Sequence, residues 1–475
     1  MSARTQALWT LAEVAAAVEG AAFGVAEATI TGVSIDTRTL QPGDLFIALK
    51  GPNFDGNGFT AAAAAAGAAA ALVEARPGAS HPLATIDVAD TQVGLERLGR
   101  AARARTDARI VAVTGSVGKT STKEMLAAAL SSIGDTHWSG GSLNNHWGVP
   151  LSLSRMPAHA RFGVFELGMN HAGEIAGLTT QVRPHVALIT TVEAVHLEFF
   201  ASVEAIADAK AEIFRGVEAD GAAIINGDNP HVERLAAAAR AAGIARIIRF
   251  GSGGDADARL LSVAADGPGS IVEARIFGQT LRYRLGLAGR HMALNSVAVL
   301  AAVKAVGCDP VAASAALCAL TGLAGRGQRV TIPVRGGEAL LIDESYNASP
   351  ASVRAALAVL ASTLVEGGGR RVAVLGDMRE LGAQGPALHR GLADTLASTG
   401  IDKVFTVGPL MRALADSLPA AQRGGWSETA AAMAPQLASA LQPGDVVMVK
   451  GSLGIRMADI VKPLIAGLAA GGVEC

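Results

Sequence analysis

The apolar positions of this chain fall into short runs set between longer, alanine-rich stretches. Compact apolar runs bounded by glycine or polar turns predict strands buried on both faces, and the stretches between them carry the spacing of helices packed on a sheet. In residues 1–107, "DLFIAL" and "AAALVEA" predict strands around an alanine-rich helix, and "TIDVAD" predicts another short strand. The turn-rich "KGPNFDGNG" follows the strand ending near Leu49, where a parallel sheet presents a binding loop. In residues 108–329, "RIVAVTG", "FGVFELG", "HVALITTV", "GAAIING" and "ARIIRFG" alternate with helices, the pattern of a doubly wound, mostly parallel sheet. A β-rich insert ("LLSVAADGPGSIVEARIFGQTLRYRLGL") and a helix from "HMALNSVAVLAAVKAVG" follow, then the glycine-rich "TGLAGRGQR", which reads as a hinge. Residues 330–475 repeat the alternation with "ALLID", "RVAVLGD", "KVFTVG" and "DVVMVKG". Each of these strands ends in polar or glycine residues (344–347, 377–380, Gly408, 450–452), the expected rim of a ligand crevice. The expectation is an α/β chain of three domains: a small N-terminal α/β domain (1–107), a central doubly wound domain (108–329) and a C-terminal Rossmann-like α/β domain (330–475).

Composition leaves that picture intact and narrows the partners. The chain is too long, at 475 residues, for one hydrophobic core, and 50% hydrophobic with 17% charged residues fits a folded globular protein. A net charge of −2 supplies no global field for nucleic acid or an anionic membrane, so neither is an expected partner. The run "AAAAAAGAAAALV" is too short and too weakly apolar to cross a bilayer, and "MSARTQALWTLAEVAAAVEG", with Glu13 and Glu19, is not expected to be a signal peptide. Cys308, Cys318 and Cys475 lack metal-ligand spacing, and an odd number suits a reducing compartment. A cytoplasmic monomer is expected.

The stretch "RIVAVTGSVGKTSTKEML" (109–126) changes the picture most. An apolar strand runs into a glycine-rich turn and a helix beginning near Thr120, the context of a phosphate-binding loop, with Val113 where that pattern usually has its first glycine. Small residues from Gly115 to Gly118 let backbone N–H groups approach a phosphate, Lys119 neutralises its outer oxygens, and Thr120 or Ser121 holds Mg²⁺. The central domain is thus expected to be an ATPase domain of the phosphate-loop type. "FGVFELG" sets Glu166 at a strand end, where such sites keep a second acidic metal ligand and where exposed glutamates are also common. "HVALITTVEAVHLEFF" sets His196 beyond the next strand, as a ligand or as a structural histidine. In "SVEAIADAKAEIFRG", Lys210 lies on the apolar stripe of Val203, Ile206, Ile213, Phe214 and Val217. It reads as a snorkelling side chain or as a desolvated amine of lowered pKa.

Taken together these residues resemble the Mur ligase family, ATP-dependent amide-forming enzymes of peptidoglycan precursor synthesis. "TGSVGKTSTKE" is similar to the family's loop, which lacks the first glycine, and "LAGRHMALNSVAVLAA" resembles its G-x-H-N-x-x-N-x-x-A segment, with Met292 where an asparagine is usual. "SIDTRTLQPGDLFIALKGPNFDGNGF", "SLNNHWGVPLSL", "DESYNASP", "LGDMRELG" with His389 after it, and "VKGSLGIRM" spread the likeness over nearly the whole chain. The resemblance implies a ligase that adds D-alanyl-D-alanine to UDP-MurNAc-tripeptide through an acyl phosphate, forming ADP. It implies ATP contacts from Gly115, Ser116, Val117, Gly118, Lys119, Thr120, Ser121, Asn295, Arg326 and Glu344. It also implies two Mg²⁺ ions, held by Thr120 and by Glu166, His196 and a carbamylated Lys210, so that Lys119, Lys210, His196 and Glu166 form the catalytic set. Substrate contacts would come from Asp36, Thr37, Arg38, Lys50, Gly51, Asn144, Asn145, Tyr346 and Asn347. Other readings are the diaminopimelate- or lysine-adding ligase, folylpolyglutamate synthase, a phosphate-loop nucleotide switch and a non-catalytic UDP-sugar module. The N-terminal uridine-type domain, "DESYNASP" and "LGDMRELG" argue against the first two, the strand-end residues of the outer domains and Lys210 against the switch, and Lys119 with Glu166 against the UDP-sugar module. "GDNPH" in the central domain is a turn, not the diaminopimelate-selecting Asp-Asn-Pro-Arg motif.

Overall fold

A computed structural model describes residues 7–78, 80–195 and 197–467. Its strands form three main sheets, of five, nine and six strands, following one another along the chain. In the first sheet the spatial order is Ala21–Phe23, Ala84–Val88, Ala70–Glu74, Asp44–Ile47, Gly32–Ser34. All pairs are parallel except that of the edge strand Ala21–Phe23. Leu45, Ile47, Leu72 and Ile86 are wholly buried there, as the apolar runs require. The turn-rich loop after Asp44–Ile47 folds as a small hairpin, Lys50–Gly51 against Phe54–Asp55.

The nine-stranded sheet explains where a ligand can sit. Arg109–Thr114 lies between Phe162–Glu166 and Val186–Ile189, all parallel. From Arg109–Thr114 the chain goes to one side of the sheet, Thr136–Trp138 and then Phe162–Glu166, before crossing to Val186–Ile189 on the other. Strand order therefore reverses at Arg109–Thr114, and a crevice opens beyond the carboxyl ends of the strands at such a point. The helices Lys119–Ser131 and Arg290–Ala305 cover one face, burying Met125, Leu126, Leu130, Val297 and Leu300. The β-rich insert continues the sheet: Ala258–Asp266 pairs parallel to Arg246–Gly251, and Gly269–Ile276 and Gln279–Leu285 add an antiparallel meander.

The third sheet runs Gln328–Val334, Gly337–Glu344, Val446–Lys450, Arg371–Gly376, Lys403–Val407, Arg423–Ser427. It contains two strands beyond the four its apolar runs predict. Gln328–Val334 is an antiparallel edge, a position that tolerates Pro333. Arg423–Ser427 carries two glycines in place of an apolar run and has a register shift where Gly424 is passed over. The glycine-rich stretch read as a hinge is partly pinned to this sheet. Gly325 and Gly327, at φ +73° and +86°, donate their N–H groups to the Asp343 carboxylate (2.7 Å) and the Asp343 carbonyl (2.8 Å). Arg326 therefore travels with the C-terminal sheet. Among the described residues no helix is long and apolar enough to cross a membrane.

Candidate active site

The turn after Arg109–Thr114 takes its shape from two glycines, at φ +149° for Gly115 and +86° for Gly118. A side chain at Gly115 would collide with the Thr190 hydroxyl, and one at Gly118 would meet Asn295 Nδ2 at 2.8 Å. The neighbouring strand end props the turn: Ser116 N–H donates to the Thr191 carbonyl (2.9 Å), and the Thr190 hydroxyl to the Val117 carbonyl (2.6 Å). The helix then begins at Lys119 with Gly118 as its cap and no capping side chain, which leaves the amino end facing the crevice. Lys119 Nζ folds back on the Gly115 carbonyl at 2.8 Å. Burial lowers its pKa, with Glu166 opposing that shift and Arg326 adding to it.

Thr120 and Asn144 converge on one carboxylate. Glu166, 1% exposed, accepts the Thr120 hydroxyl at Oε2 (2.8 Å) and Asn144 Nδ2 at Oε1 (2.7 Å). Lys210 is 2% exposed and its ammonium donates to no described residue. Desolvation holds its pKa well below the usual lysine range, and the charge of Lys119 pushes the same way. A hydroxyl and a carboxylate oxygen suit a hard divalent cation, but the described residues contain no group of three or more acidic, histidine or cysteine side chains placed to hold a metal ion. His196 lies outside the described residues, as does Cys475.

The C-terminal sheet closes the other side. Arg326 stacks its guanidinium on the Tyr346 ring (4.0 Å), and both reach Ser142 of the central domain, the Tyr346 hydroxyl at 2.9 Å and Arg326 at 3.4 Å. Glu344 pairs with Lys450 (3.1 Å), a buried lysine that also donates to the Asn347 carbonyl (3.0 Å). Between the two sheets is a cavity of about 920 Å³. Its walls include all the phosphate-loop residues from Ser116 to Ser121 together with Asn144, Glu166, Asn295, Arg326, Glu344, Tyr346 and Asn347. Met292 and Asp228, Asn229 and Pro230 of the "GDNPH" turn also line it.

Other expected site residues lie elsewhere. Asp36 forms a bidentate pair with Arg38 (2.6 to 3.1 Å), which lowers the Asp36 pKa, on the N-terminal domain with Thr37 beside them. Lys50 and Gly51 occupy the hairpin, whose Phe54 meets Trp147 of the central domain edge-on (6.3 Å). Asn145 is exposed, and its Oδ1 accepts the Trp147 and Gly148 N–H groups at the entry to the helix Gly148–Ser154. Sequence reasoning did not single out Ser142, Thr190, Lys123 or the Lys450 ammonium as site residues. Thr190 and Lys450 stand at strand ends, which is the one signal that marks them. In the C-terminal domain His389 is wholly buried and structural. Its Nε2 accepts from Met378 N–H (2.9 Å), which assigns the proton to Nδ1, donating to the Gly385 carbonyl (2.6 Å).

Known proteins share this architecture. Family models match in three blocks: Mur ligase family, catalytic domain (29–131), Mur ligase middle domain (113–303), and Mur ligase, glutamate ligase domain (325–453). The UDP-N-acetylmuramoyl-tripeptide–D-alanyl-D-alanine ligase of Escherichia coli K12 is 37% identical over 96% of this chain and 98% of its own length. A crystal structure of MurF from Acinetobacter baumannii superposes with a TM-score of 0.83 at 31% identity, covering 96% of this chain and 99% of that one. MurF from Thermotoga maritima, solved in complex with ADP, has a TM-score of 0.76 at 26% identity, covering 92% and 97%.

Proposed function

The chain belongs to the Mur ligase family, and from that membership we propose how its geometry performs the ligation. The reaction is the ATP-dependent joining of D-alanyl-D-alanine to UDP-MurNAc-tripeptide, yielding the pentapeptide precursor of peptidoglycan. The observation that carries the mechanism is the cleft. A phosphate loop at the end of the central sheet faces Tyr346, Glu344, Lys450 and the Arg326 fastened to the C-terminal sheet across a single cavity.

In this reading residues 1–107 hold the uridine nucleotide through Asp36, Thr37, Arg38, Lys50 and Gly51, residues 108–329 bind ATP, and residues 330–475 bring D-alanyl-D-alanine. Gly115, Ser116, Val117, Gly118 and Ser121 cradle the phosphates, and Asn295 and Glu344 flank the nucleoside. Asn144 and Asn145 guide the tripeptide, and Tyr346 and Asn347 border the dipeptide. Thr120 and Glu166 present oxygens to Mg²⁺, with His196 and Lys210 completing the set for a second ion. When bound, Mg²⁺ supplies charge neutralisation at the transferring phosphoryl group. Lys119, released from the Gly115 carbonyl, reaches the outer phosphate oxygens. The tripeptide carboxylate takes the γ-phosphoryl group, giving an acyl phosphate and ADP. The dipeptide amine then attacks the acyl carbon, a C–N bond forms, phosphate leaves and the amine releases a proton. Closure of Arg326 and Tyr346 over the cavity excludes water from the hydrolysable acyl phosphate.

Lys210 fits the carbamate role because burial and the charge of Lys119 both favour the neutral form of its amine. A neutral amine adds to CO₂ with loss of a proton, converting an uncharged buried group next to Lys119 into an anion beside it. The protein is expected to act in the cytoplasm as a monomer.

The deciding assay supplies ATP, UDP-MurNAc-tripeptide and either D-alanyl-D-alanine or single amino acids. Phosphate release is expected only with tripeptide and dipeptide together, and release indifferent to the dipeptide would sink the assignment.

A further inference from the structure

Lys123 has no part in that scheme, yet its side chain is 0% exposed in the second turn of the phosphate-loop helix. A buried ammonium is costly unless its donors are all engaged. Here they are: Nζ donates to the Ser139 carbonyl (2.7 Å) and the Gly141 carbonyl (2.8 Å), and pairs with Glu124 (2.7 Å). The two carbonyls belong to the connection 139–145, which includes Gly140 and the left-handed Gly141 at φ +52°. Without an anchor, two adjacent glycines leave such a loop free to move.

That loop does two things. Its Asn144 amide holds Glu166 Oε1 (2.7 Å), and its Ser142 hydroxyl receives both Tyr346 (2.9 Å) and Arg326 (3.4 Å) from the C-terminal side. Beside the indirect link from Thr120 through Glu166 to Asn144, Lys123 therefore ties the phosphate-loop helix directly to the seat on which the C-terminal domain closes. We propose that Lys123 is a positioning residue for domain closure, fixing the 139–145 loop so that Ser142 can latch Tyr346 and Arg326. This rests on the reading above, in which closure of the C-terminal domain accompanies ligation.

The test is a double-mutant cycle on the full chain between Lys123→Met and Ser142→Ala, read two ways. Hydrogen exchange without substrates is expected to rise in K123M at both 139–145 and 343–347, and in S142A chiefly at 343–347. In turnover, K123M is expected to lower kcat by about tenfold or more while the KM for ATP moves less than about threefold, a loss made after ATP binds. The double variant is expected to lose no more kcat than K123M alone, because both substitutions break one latch. Unchanged exchange at 343–347 in K123M, or kcat losses that multiply, would overturn the proposal. Should K123M fail to fold, Lys123→Gln, which keeps two N–H donors, runs the same cycle. If the unsubstituted protein shows no dipeptide-dependent turnover, the ligase reading fails, while the exchange data still decide the latch.

Discussion

At the scale of single residues, the site is a problem of charge placed where water is scarce. Glu166 has a neutral hydroxyl and an amide as its hydrogen-bond partners, so both oxygens are oriented without being neutralised. Lys210 was legible because its position on an apolar stripe put it under the sheet, and the structure buries it with Ile206, Ile213 and Phe214. Ser142 was not legible, since a serine after two glycines looks like any turn and its partner Tyr346 is 204 residues away. Lys210→Ala is expected to lower kcat by at least about 100-fold, the scale of losing an electrostatic group in a water-poor site, and short carboxylates are expected to restore part of it. A variant with full activity would eliminate the carbamate role.

At the scale of elements, strands and helices follow the apolar runs wherever burial on two faces demands them. The exceptions have physical reasons. Gln328–Val334 needs only a hairpin partner, and Arg423–Ser427, an outer strand with a bulge, does not need an apolar run. The glycine-rich linker is the more instructive departure, because glycine signals backbone freedom and the structure spends it on a fixed turn. Asp343, 4% exposed, holds that turn by accepting from Gly325 (2.7 Å) and Ser345 (3.0 Å) N–H groups. Asp343→Ala is expected to destabilise the chain by about 1–3 kcal/mol, the cost of orphaning buried donors, measured by urea unfolding. It is also expected to reduce kcat, because Arg326 loses its fixed bearing on the C-terminal sheet.

At the scale of the whole molecule, the cleft beside Lys119 and the Asp36–Arg38 region sit on different domains, and no local motif shows how far apart they end up. The amino-end rim of the central sheet, opposite the cleft, carries a pH response separate from chemistry. His185, just before Val186–Ile189, accepts Ile110 N–H at Nδ1 (3.0 Å), and burial with Arg109 and Arg103 nearby lowers its pKa to about 4. The neutral form is the folded one, so its stabilisation is complete above the unfolded pKa of about 6.5 and is lost as pH falls from there towards 4. Discounted for partial exposure, the loss is on the order of 2 kcal/mol. Urea midpoints between pH 7 and 4 are expected to show it, and His185→Asn to flatten it. Finally, only the short connection 320–324, whose Leu323 carbonyl accepts Arg326 N–H (2.8 Å), lies between the helical turn Ala315–Ala319 and the pinned Gly325. Fully extended, such a tether reaches roughly 20 Å, so Arg326 stays at an effective concentration on the order of millimolar or more beside the phosphate loop. Doubling the tether with glycines should weaken closure by only about 0.6 kcal/mol, roughly threefold. Reach is cheap in this molecule, and what closure depends on is the direction in which the tether's far end is fastened.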